Sequence, residues 1–216
     1  MDVSALIIAR GGSERVPRKN VKEFADKCSL IELKISQLNK ISALNEVVVN
    51  SDDDEILEIA KENGATAVKR DPHFGKATTP MVDVYSHVAS GMNCEQILFA
   101  NCTSPLIKSE TLSDLCLYDL DMKNLHSVNT VNYVQKFMVS ETYGPLYDMN
   151  DQPRSQDIKN VYEINWAAAV VEQEYMATYG RVVGHRWEPY FIDDMEAVDI
   201  DTMIDWEVAR QLWKAN

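Results

Sequence analysis

The sequence lacks the excess of basic residues that a general nucleic-acid binder needs, because 34 Asp and Glu outnumber 21 Lys and Arg and give a net charge of −13. No apolar stretch approaches the ~18 residues of a membrane span, and the N-terminus has neither the basic segment nor the apolar length of a signal peptide. The cysteines show no C-x-x-C spacing, which argues against a zinc knuckle or a redox pair; they are Cys28, Cys94, Cys102 and Cys116. We therefore expect a cytoplasmic protein with free thiols that binds neither nucleic acid nor a membrane.

Two phosphate-binding motifs are also absent. Without G-x-x-x-x-G-K-[ST] the chain has no P-loop, and the lack of G-x-G-x-x-G argues against a dinucleotide site. No low-complexity tract or internal repeat divides the 216 residues, and a hydrophobic content of 45% suffices for one substantial core. The sequence therefore predicts a single domain spanning residues 1–216.

Short apolar runs are typical of strands that are buried on both faces of a parallel sheet. Three such runs are "SALIIA" (Ser4 to Ala9), "EVVVNS" (Glu46 to Ser51) and "QILFAN" (Gln96 to Asn101). Helical periodicity lies between them, and the helix after Ser51, which can cap it, is predicted to end at Gly64. The alternation of strands and helices to about residue 122 predicts a doubly wound, mostly parallel α/β sheet.

The pattern weakens between Tyr133 and Asn165, where glycine, proline, aspartate and asparagine interrupt it. This segment is predicted to be an extended arm or hairpin outside the main sheet. "WAAAVVE" (Trp166 to Glu172) is predicted to be another buried strand, and the last helix is predicted to begin with a capping box formed by Thr202 and Asp205.

The loop "RGGSERVPRKN", directly after the first strand, concentrates positive charge in an acidic protein. Ligands of open α/β sheets bind outside the carboxyl ends of the strands, which is where this loop lies. Gly11 and Gly12 permit positive φ angles and let backbone N–H groups approach an anion closely. The loop therefore predicts a polyphosphate site, and an ordinary solvated loop is the alternative.

The segments "ARGGS" and "PRKN" of this loop resemble the signature of the sugar-acid cytidylyltransferases, in particular the acylneuraminate (CMP-sialic acid synthetase) type. The resemblance continues in order along nearly the whole chain, through "VVVNSDDDEILEIAKENGA", "KRDPHFGKATTPMVDV", "NCTSPLIKS", "VYEINWAAAVV" and "EAVDIDTMIDWEVA". It implies a Rossmann-like nucleotidyltransferase that joins a nonulosonic sugar acid to CMP, using CTP and releasing pyrophosphate.

The resemblance also implies roles for individual residues. The expected nucleotide contacts are Arg10, Gly11, Gly12, Ser13, Lys19, Asn20, Arg70 and Thr79. Lys19, a compact point charge suited to the transferred phosphoryl group, is expected to be catalytic together with Arg10 and Asp201. The expected sugar contacts are Asn101, Thr103 and Ser104, for which capping of the loop before Pro105 is the alternative.

Asp199 and Asp201 form the sequence "DID", predicted to lie at the end of a strand just before a helix. Alternation along a strand would point both carboxylates the same way. Paired hard oxygen ligands suit Mg²⁺, which also takes waters and phosphate oxygens. Together with the family resemblance, the pair predicts a magnesium site.

The sequence departs from the family's pattern at several positions. Glu14 replaces a lysine that would face the triphosphate; two like charges ~4 Å apart repel by about 4 kcal/mol at an effective dielectric constant of ~20. Other departures are Ala77 for aspartate, Asn101 for glutamine, Cys102 for proline and Trp166 for glycine. Two alternatives therefore stay open: a catalytically weakened nucleotide-binding homologue that acts as a partner or regulator, and a nucleotidyltransferase for another sugar.

The irregular segment at about residues 133–165 resembles the family's dimerisation arm, which implies a homodimer; a disordered surface loop is the alternative. The tryptophans are expected in the core or in an interface; they are Trp166, Trp187, Trp206 and Trp213.

Overall fold

The computed structural model describes residues 2–76 and 78–215, so Ala77 lies outside the described residues. The strands are β1 (Val3–Ala9), β2 (Glu23–Ala25), β3 (Cys28–Ser29), β4 (Val47–Ser51), β5 (Thr66–Lys69), β6 (Gln96–Ala100), β7 (Ser127–Tyr133), β8 (Val139–Ser140), β9 (Gly144–Pro145), β10 (Tyr162–Glu172) and β11 (Trp187–Phe191). The helices are α1 (Leu30–Leu38), α2 (Asp54–Glu62), α3 (Pro72–Gly75), α4 (Met81–Ser90), α5 (Ser109–Cys116), α6 (Leu120–Lys123), α7 (Gln173–Tyr179) and α8 (Met203–Ala215), with a 3₁₀ turn at Ser155–Asp157.

Seven strands form one sheet in the order β11-β7-β10-β6-β1-β4-β5. Neighbouring strands pair in parallel, except that β10 runs antiparallel to both β6 and β7. The predicted doubly wound, mostly parallel sheet is confirmed. The carboxyl ends of β1, β5 and β6 consequently meet at one edge, and the start of β10 reaches the same edge because that strand is reversed.

Alternation along the strands divides the core between the two faces of the sheet. In β1, Val3, Ala5 and Ile7 pack with α1, α2, α5 and α8, whereas Leu6 packs with α4 and α7 on the other face. Both layers exclude water from apolar side chains, and this burial is the main stabilising contribution to such a fold.

The three predicted buried strands are confirmed as β1, β4 and β6. The cap of α2 is Asp53 and not Ser51, because the Asp53 carboxylate accepts hydrogen bonds from the backbone N–H groups of Glu55 and Ile56. Ser51 Oγ instead accepts from the N–H of Asp53 at 3.0 Å. Gly64 follows the helix end at φ 80°, as predicted.

The predicted strand after the irregular segment begins earlier than expected, at Tyr162 rather than Trp166. Residues 134–161 lie outside the seven-stranded sheet and contain the β8–β9 hairpin, which confirms the predicted hairpin for these residues. The ends of the predicted range were wrong, because Tyr133 belongs to β7 and residues 162–165 belong to β10. The capping box of α8 is also confirmed, since Thr202 Oγ1 donates to Asp205 Oδ2 at 2.8 Å and accepts from the Asp205 N–H.

The prediction that Asp199 and Asp201 lie at a strand end was wrong. β11 ends at Phe191, and the chain then turns because Asp193 Oδ1 accepts from the N–H of Glu196 at 2.8 Å. The two aspartates therefore lie on an irregular segment between that turn and α8. No helix of residues 2–76 and 78–215 combines the length and apolar character needed to cross a membrane.

Candidate active site

A cleft of about 500 Å³ opens at the carboxyl ends of β1, β5 and β6. Most of the sequence-predicted site residues line it: Arg10, Ser13, Lys19, Asn20, Arg70, Asn101, Thr103 and Asp201. The remaining ones do not line it: Gly11, Gly12, Thr79, Ser104 and Asp199. The fold thus brings together segments that are far apart in sequence.

A larger cavity of about 760 Å³ lies at the opposite edge of the sheet, beside the first residue of β6 and the last residue of β10. Its lining is strongly acidic and includes Glu95, Asp119, Asp121, Glu172 and Glu174. Such a wall repels a polyphosphate, so the cationic cleft is the better candidate for a nucleotide site despite its smaller size.

The two glycines of the first loop serve different purposes from those predicted. Neither has a positive φ; the loop residue in the left-handed region is Arg18, at φ 55°. A Cβ on Gly11 would lie 2.1 Å from Asp53 Oδ2, and the Gly11 N–H donates to Asp52 Oδ1 at 3.3 Å. Gly11 is therefore required for close packing against the start of α2, whereas a Cβ on Gly12 would meet nothing within 4 Å.

Lys19 joins the cationic loop to the acidic segment. Its Nζ donates to the carbonyl oxygen of Ile200 at 2.6 Å and lies 3.8 Å from Asp201 Oδ1. Asp201 Oδ1 also accepts from Arg15 at 2.9 Å. The cationic loop and Asp201 therefore lie on the same cleft.

Asp199 is the more buried of the two aspartates, and its Oδ1 has no hydrogen-bond partner within the described part of the chain. Burial raises the pKa of Asp199, and the nearby Asp201 carboxylate adds to that effect, while a hydrogen bond from Thr103 opposes it. The N–H of Ile200 donates to the Thr103 carbonyl at 2.9 Å and holds this segment against the loop after β6. A buried carboxylate oxygen without a donor is suited to a cation.

Arg70 holds strand ends together at the base of the cleft. Its Nε donates to Asn50 Oδ1 at 2.7 Å, and its Nη2 donates to the carbonyl oxygens of Ala9 and Asn50. Burial lowers the pKa of Arg70, an effect that nearby Asp52 opposes. The hydroxyl of Thr79 is already engaged within the protein, because its Oγ1 donates to the His73 carbonyl at 2.6 Å. The structure therefore does not support the predicted contact between Thr79 and the nucleotide.

Two of the three predicted sugar-binding residues lie in the cleft. Asn101 Nδ2 donates to the Trp166 carbonyl at 2.7 Å, and Thr103 faces Asp199. Ser104 is fully buried and does not line the cleft, so the structure does not support the predicted sugar contact.

Lys34, which the sequence reasoning missed, is fully buried beneath this loop, and its Nζ donates to the Ser104 carbonyl at 3.0 Å. Burial lowers the pKa of Lys34 to about 7. Gln37 Nε2 donates to the carbonyls of Pro105 and Ile107, both at 2.8 Å. Helix α1 thus fixes the loop that carries the candidate sugar contacts. The sequence did contain a signal for this buried cation, since Lys34 lies on the apolar face of the helix "LIELKISQL".

Glu14 lines the cleft and is exposed. Among the residues that the structure describes, no cationic side chain lies within ion-pairing distance of its carboxylate. Arg15, which could have compensated for the missing lysine, is bound to Asp201 instead. The negative charge of Glu14 is therefore directed at the space where the loop would hold an anion.

Met81 and Trp166 were also missed as site residues. Met81 lines the cleft and a neighbouring apolar cavity of about 410 Å³, and Trp166 lines that second cavity. Trp166 adopts φ 60°, which is uncommon for a residue other than glycine. It is exposed, whereas Trp206 is buried in the core, as expected. The sequence did contain a signal for Trp166, because tryptophan replaces the glycine of the family pattern at this position.

Comparison with known proteins finds a matching family, similar sequences and a similar fold. A family model described as "Cytidylyltransferase" matches residues 4–182. The pseudaminic acid cytidylyltransferase of Campylobacter jejuni is 27% identical over 98% of this chain and 96% of its own length. The N-acylneuraminate cytidylyltransferase of Oncorhynchus mykiss is 29% identical over 97% of this chain, which spans half of that protein's length. A solved CMP:2-keto-3-deoxy-manno-octonic acid synthetase complexed with CTP has the same fold, with a TM-score of 0.73 at 14% identity, covering 100% of this chain and 99% of that one.

Proposed function

The chain belongs to the cytidylyltransferase family, and we propose that it activates a sialic-acid-like nonulosonic sugar acid with CTP, giving the CMP-sugar and pyrophosphate. The observation that carries this proposal is the cleft in which the cationic loop of Arg10 and Lys19 faces Asp201 across a few ångströms. The names of the two relatives support the class of sugar acid.

The transfer needs a triphosphate held in place, its charge neutralised and the sugar hydroxyl aligned with the α-phosphorus. The sugar hydroxyl gives up its proton to water as its oxygen forms a bond to the α-phosphorus. The bond from that phosphorus to the bridging oxygen breaks, and pyrophosphate leaves with the bridging oxygen. Arg10, Ser13 and Asn20 bind the nucleotide in this proposal, and Lys19 stabilises the charge that develops on the transferred group. Asn101 and Thr103 orient the sugar acid.

Asp199 and Asp201 fit a divalent cation such as Mg²⁺. The unpartnered, buried Oδ1 of Asp199 is an oxygen ligand without a donor, and Asp201 adds a second carboxylate at the cleft. No group of three or more metal-ligating side chains occurs within residues 2–76 and 78–215, so phosphate oxygens and waters would complete the shell. When bound, the cation would supply neutralisation of phosphate charge.

The metal assignment is tested with Asp201→Ala. We expect loss of Mg²⁺-dependent turnover with the fold retained, whereas Glu207→Gln on the exposed face of α8 keeps the metal response of the unmodified protein. Circular dichroism verifies folding in both variants. Unchanged turnover in Asp201→Ala would remove the metal site.

A catalytically weakened nucleotide-binding homologue is the second candidate, because Glu14 places a carboxylate in the cleft. Pyrophosphate release from CTP, measured with a panel of nonulosonic acids, separates the candidates. Release with at least one acid supports the enzyme. CTP binding by calorimetry without release from any acid supports the weakened homologue, and turnover with GTP or ATP instead of CTP supports a different nucleotidyltransferase.

We further propose a homodimer that forms through residues 134–161. This arm exposes large apolar side chains, among them Phe137, Val139, Tyr143 and Met149, which suits burial against a second subunit. Sedimentation of the isolated protein tests this proposal. The four cysteines are unpaired, which supports a reducing compartment such as the cytoplasm.

A further inference from the structure

The acidic cavity at the edge of the sheet opposite the cleft has a volume of about 760 Å³, which is the size of a small-molecule site. No lysine or arginine is among the described residues that line it. Burial and nearby Arg186 lower the pKa of His126, so this imidazole adds little positive charge at neutral pH. Within residues 2–76 and 78–215, none of the five carboxylates of the lining forms an ion pair; they belong to Glu95, Asp119, Asp121, Glu172 and Glu174. The cavity therefore holds negative charge that these parts of the chain leave unneutralised.

Gln96 contributes a buried oxygen without a hydrogen-bond partner. The residue is 5% exposed and lines the cavity, and its Oε1 has no donor within the described part of the chain. A buried polar atom without a partner destabilises the folded protein, and each such atom in a native structure needs an explanation. A ligand that brings an N–H donor into the cavity would supply the missing bond.

Strand pairing places Gln96 beside Glu172. The two residues are directly opposite each other in the antiparallel ladder of β6 and β10, so their side chains lie on the same face of the sheet. Val170, two residues before Glu172, belongs to the core cluster that contains Leu120 of α6. Alternation along β10 therefore directs Glu172, and Gln96 with it, to the side of the sheet that carries α6 and its two aspartates.

Aromatic rings form another part of the cavity wall. The Tyr175 ring stacks on His126 with 4.3 Å between ring centroids, and it lies 4.8 Å from the Tyr179 ring. Tyr179 is exposed and lines the cavity. Aromatic faces attract ammonium groups, and the methylene stems of cationic chains pack against apolar surface. The wall thus suits a cation that also carries hydrocarbon.

The spacing of the carboxylates argues against a metal ion as the occupant. Within residues 2–76 and 78–215, no three metal-ligating side chains are close enough together to hold one. A single small ion would also leave most of a cavity of about 760 Å³ empty. Separated negative charges fit an extended molecule that distributes several positive charges along its length.

We propose that this cavity binds an aliphatic polyamine such as spermidine. Its ammonium groups donate to Glu172, to Gln96 Oε1 and to the other carboxylates, and its methylene segments pack against Tyr179. Gln96 is the first residue of β6, whereas Asn101 follows the last one, so the site lies at the opposite end of this strand from the cleft. The inference therefore goes beyond the proposed function and does not depend on it.

Calorimetry with spermidine, in the absence of nucleotide, tests the proposal on the full chain. We expect one spermidine per chain and an affinity that falls as salt is added. Glu172→Gln should weaken binding by about ten-fold, because hydrogen bonds to charged groups are the stronger ones. Glu58→Gln makes the same change of net charge at an exposed position of α2 and keeps the affinity of the unmodified protein.

Gln96→Leu separates binding from folding. We expect spermidine binding to weaken by about ten-fold while the urea midpoint of the free protein rises, because the substitution removes an unpartnered buried oxygen. A damaged fold would instead lower both quantities, and Glu172→Gln then decides. An unchanged affinity in a folded Gln96→Leu overturns the proposal.

Three further results would overturn it. Equal losses in Glu172→Gln and Glu58→Gln would mean that only the net charge of −13 attracts the amine. Equal binding of hexaamminecobalt(III), a compact trication, would show that the length of the ligand has no role. Binding of a trilysine peptide without binding of spermidine would assign the cavity to a basic segment of a partner protein. Pyrophosphate release is measured separately, so none of these results affects the proposed function.

Discussion

Lys19 Nζ donates a hydrogen bond of 2.6 Å to the carbonyl oxygen of Ile200, the residue between Asp199 and Asp201. This bond connects the first loop of the chain to a segment near its end, and it directs a cation at the pair of carboxylates. The lysine is mostly shielded from water, so its charge is screened less than that of a surface lysine. Lys19 therefore both shapes the cleft and contributes its positive charge.

Lys19→Met removes this charge while keeping most of the side-chain volume. We expect turnover to fall by about 10²–10³-fold, because a preorganised charge at a transferred phosphoryl group contributes on that scale. Pyrophosphate release under saturating CTP measures the effect. Lys40→Met, at an exposed lysine after α1, keeps the activity of the unmodified protein, and an equal effect of the two substitutions would contradict the role of Lys19.

Glu14→Lys restores a positive charge at a position where the unmodified chain places a carboxylate in the cleft. We expect the affinity for CTP to rise by about three-fold, a modest gain because both the glutamate and its surroundings are exposed. Calorimetry at low and high salt measures it, and the gain should shrink at high salt. Glu62→Lys on α2 makes the same change of net charge away from the cleft. A lowered affinity in Glu14→Lys would mean that the glutamate is accommodated as it stands.

The burial of Lys34 makes stability depend on pH. Its pKa is lowered to about 7 in the folded protein from 10.5, so the unfolded chain binds more protons between these values. Stability conferred at this site is therefore full above pH 10.5 and is lost as the pH falls toward 7, with a slope of up to about 1.4 kcal/mol per pH unit. In Lys34→Met this slope disappears.

Urea unfolding of the unmodified protein and Lys34→Met at several values between pH 7 and pH 10 measures this difference. Burial raises the pKa of Cys102 and Cys116 to about 11, which produces a slope of the opposite sign. The contribution of Cys116 is present in both proteins and cancels in their difference, whereas that of Cys102 changes when Lys34 is replaced because the two groups interact. Parallel stability curves for the two proteins would show that Lys34 is protonated in the folded state.

Trp166 gives a test of backbone strain that is independent of any ligand. Trp166→Gly and Trp166→Ala both remove the indole, but only alanine keeps a Cβ at φ 60°. We expect the glycine variant to be the more stable by about 1 kcal/mol. The control is Val208 in the middle of α8. There the alanine variant should be more stable than the glycine variant, because glycine is unfavourable in a helix. Chemical denaturation measures both pairs.

The sequence predicted the elements whose signals are local. β1, β4 and β6 are continuous apolar runs, and the Thr202–Asp205 box depends on four adjacent residues. Other features depend on contacts that no local pattern contains. The apolar run of β10 suits either direction in a sheet, so its reversal followed only from the pairing with β6 and β7.

In the candidate site, too, the local signals were predictable from the sequence and the contacts between distant residues were not. The positive charge of the loop and the acidic pair were visible in the sequence, whereas the approach of Lys19 to Asp201 joins residues 182 positions apart. Ser104 does not line the cleft and is buried where Lys34 of α1 donates to its carbonyl. Gly11 packs closely against Asp53, which lies 42 positions further along the chain. The strand predicted before "DID" was wrong because a turn at Asp193 intervenes.

The reversed direction of β10 determines which segments of this protein could be replaced by those of a relative. The proposed nucleotide contacts Arg10, Ser13 and Lys19 lie in the first loop of the chain, whereas Trp166, beside Asn101, belongs to a strand that directly follows residues 134–161. Under the proposed function, residues 134–161 and the start of β10 could therefore vary in sequence without changing the first loop. Replacing the arm and the first residues of β10 with those of a relative should exchange the preferred sugar while the chemistry at the phosphate is preserved.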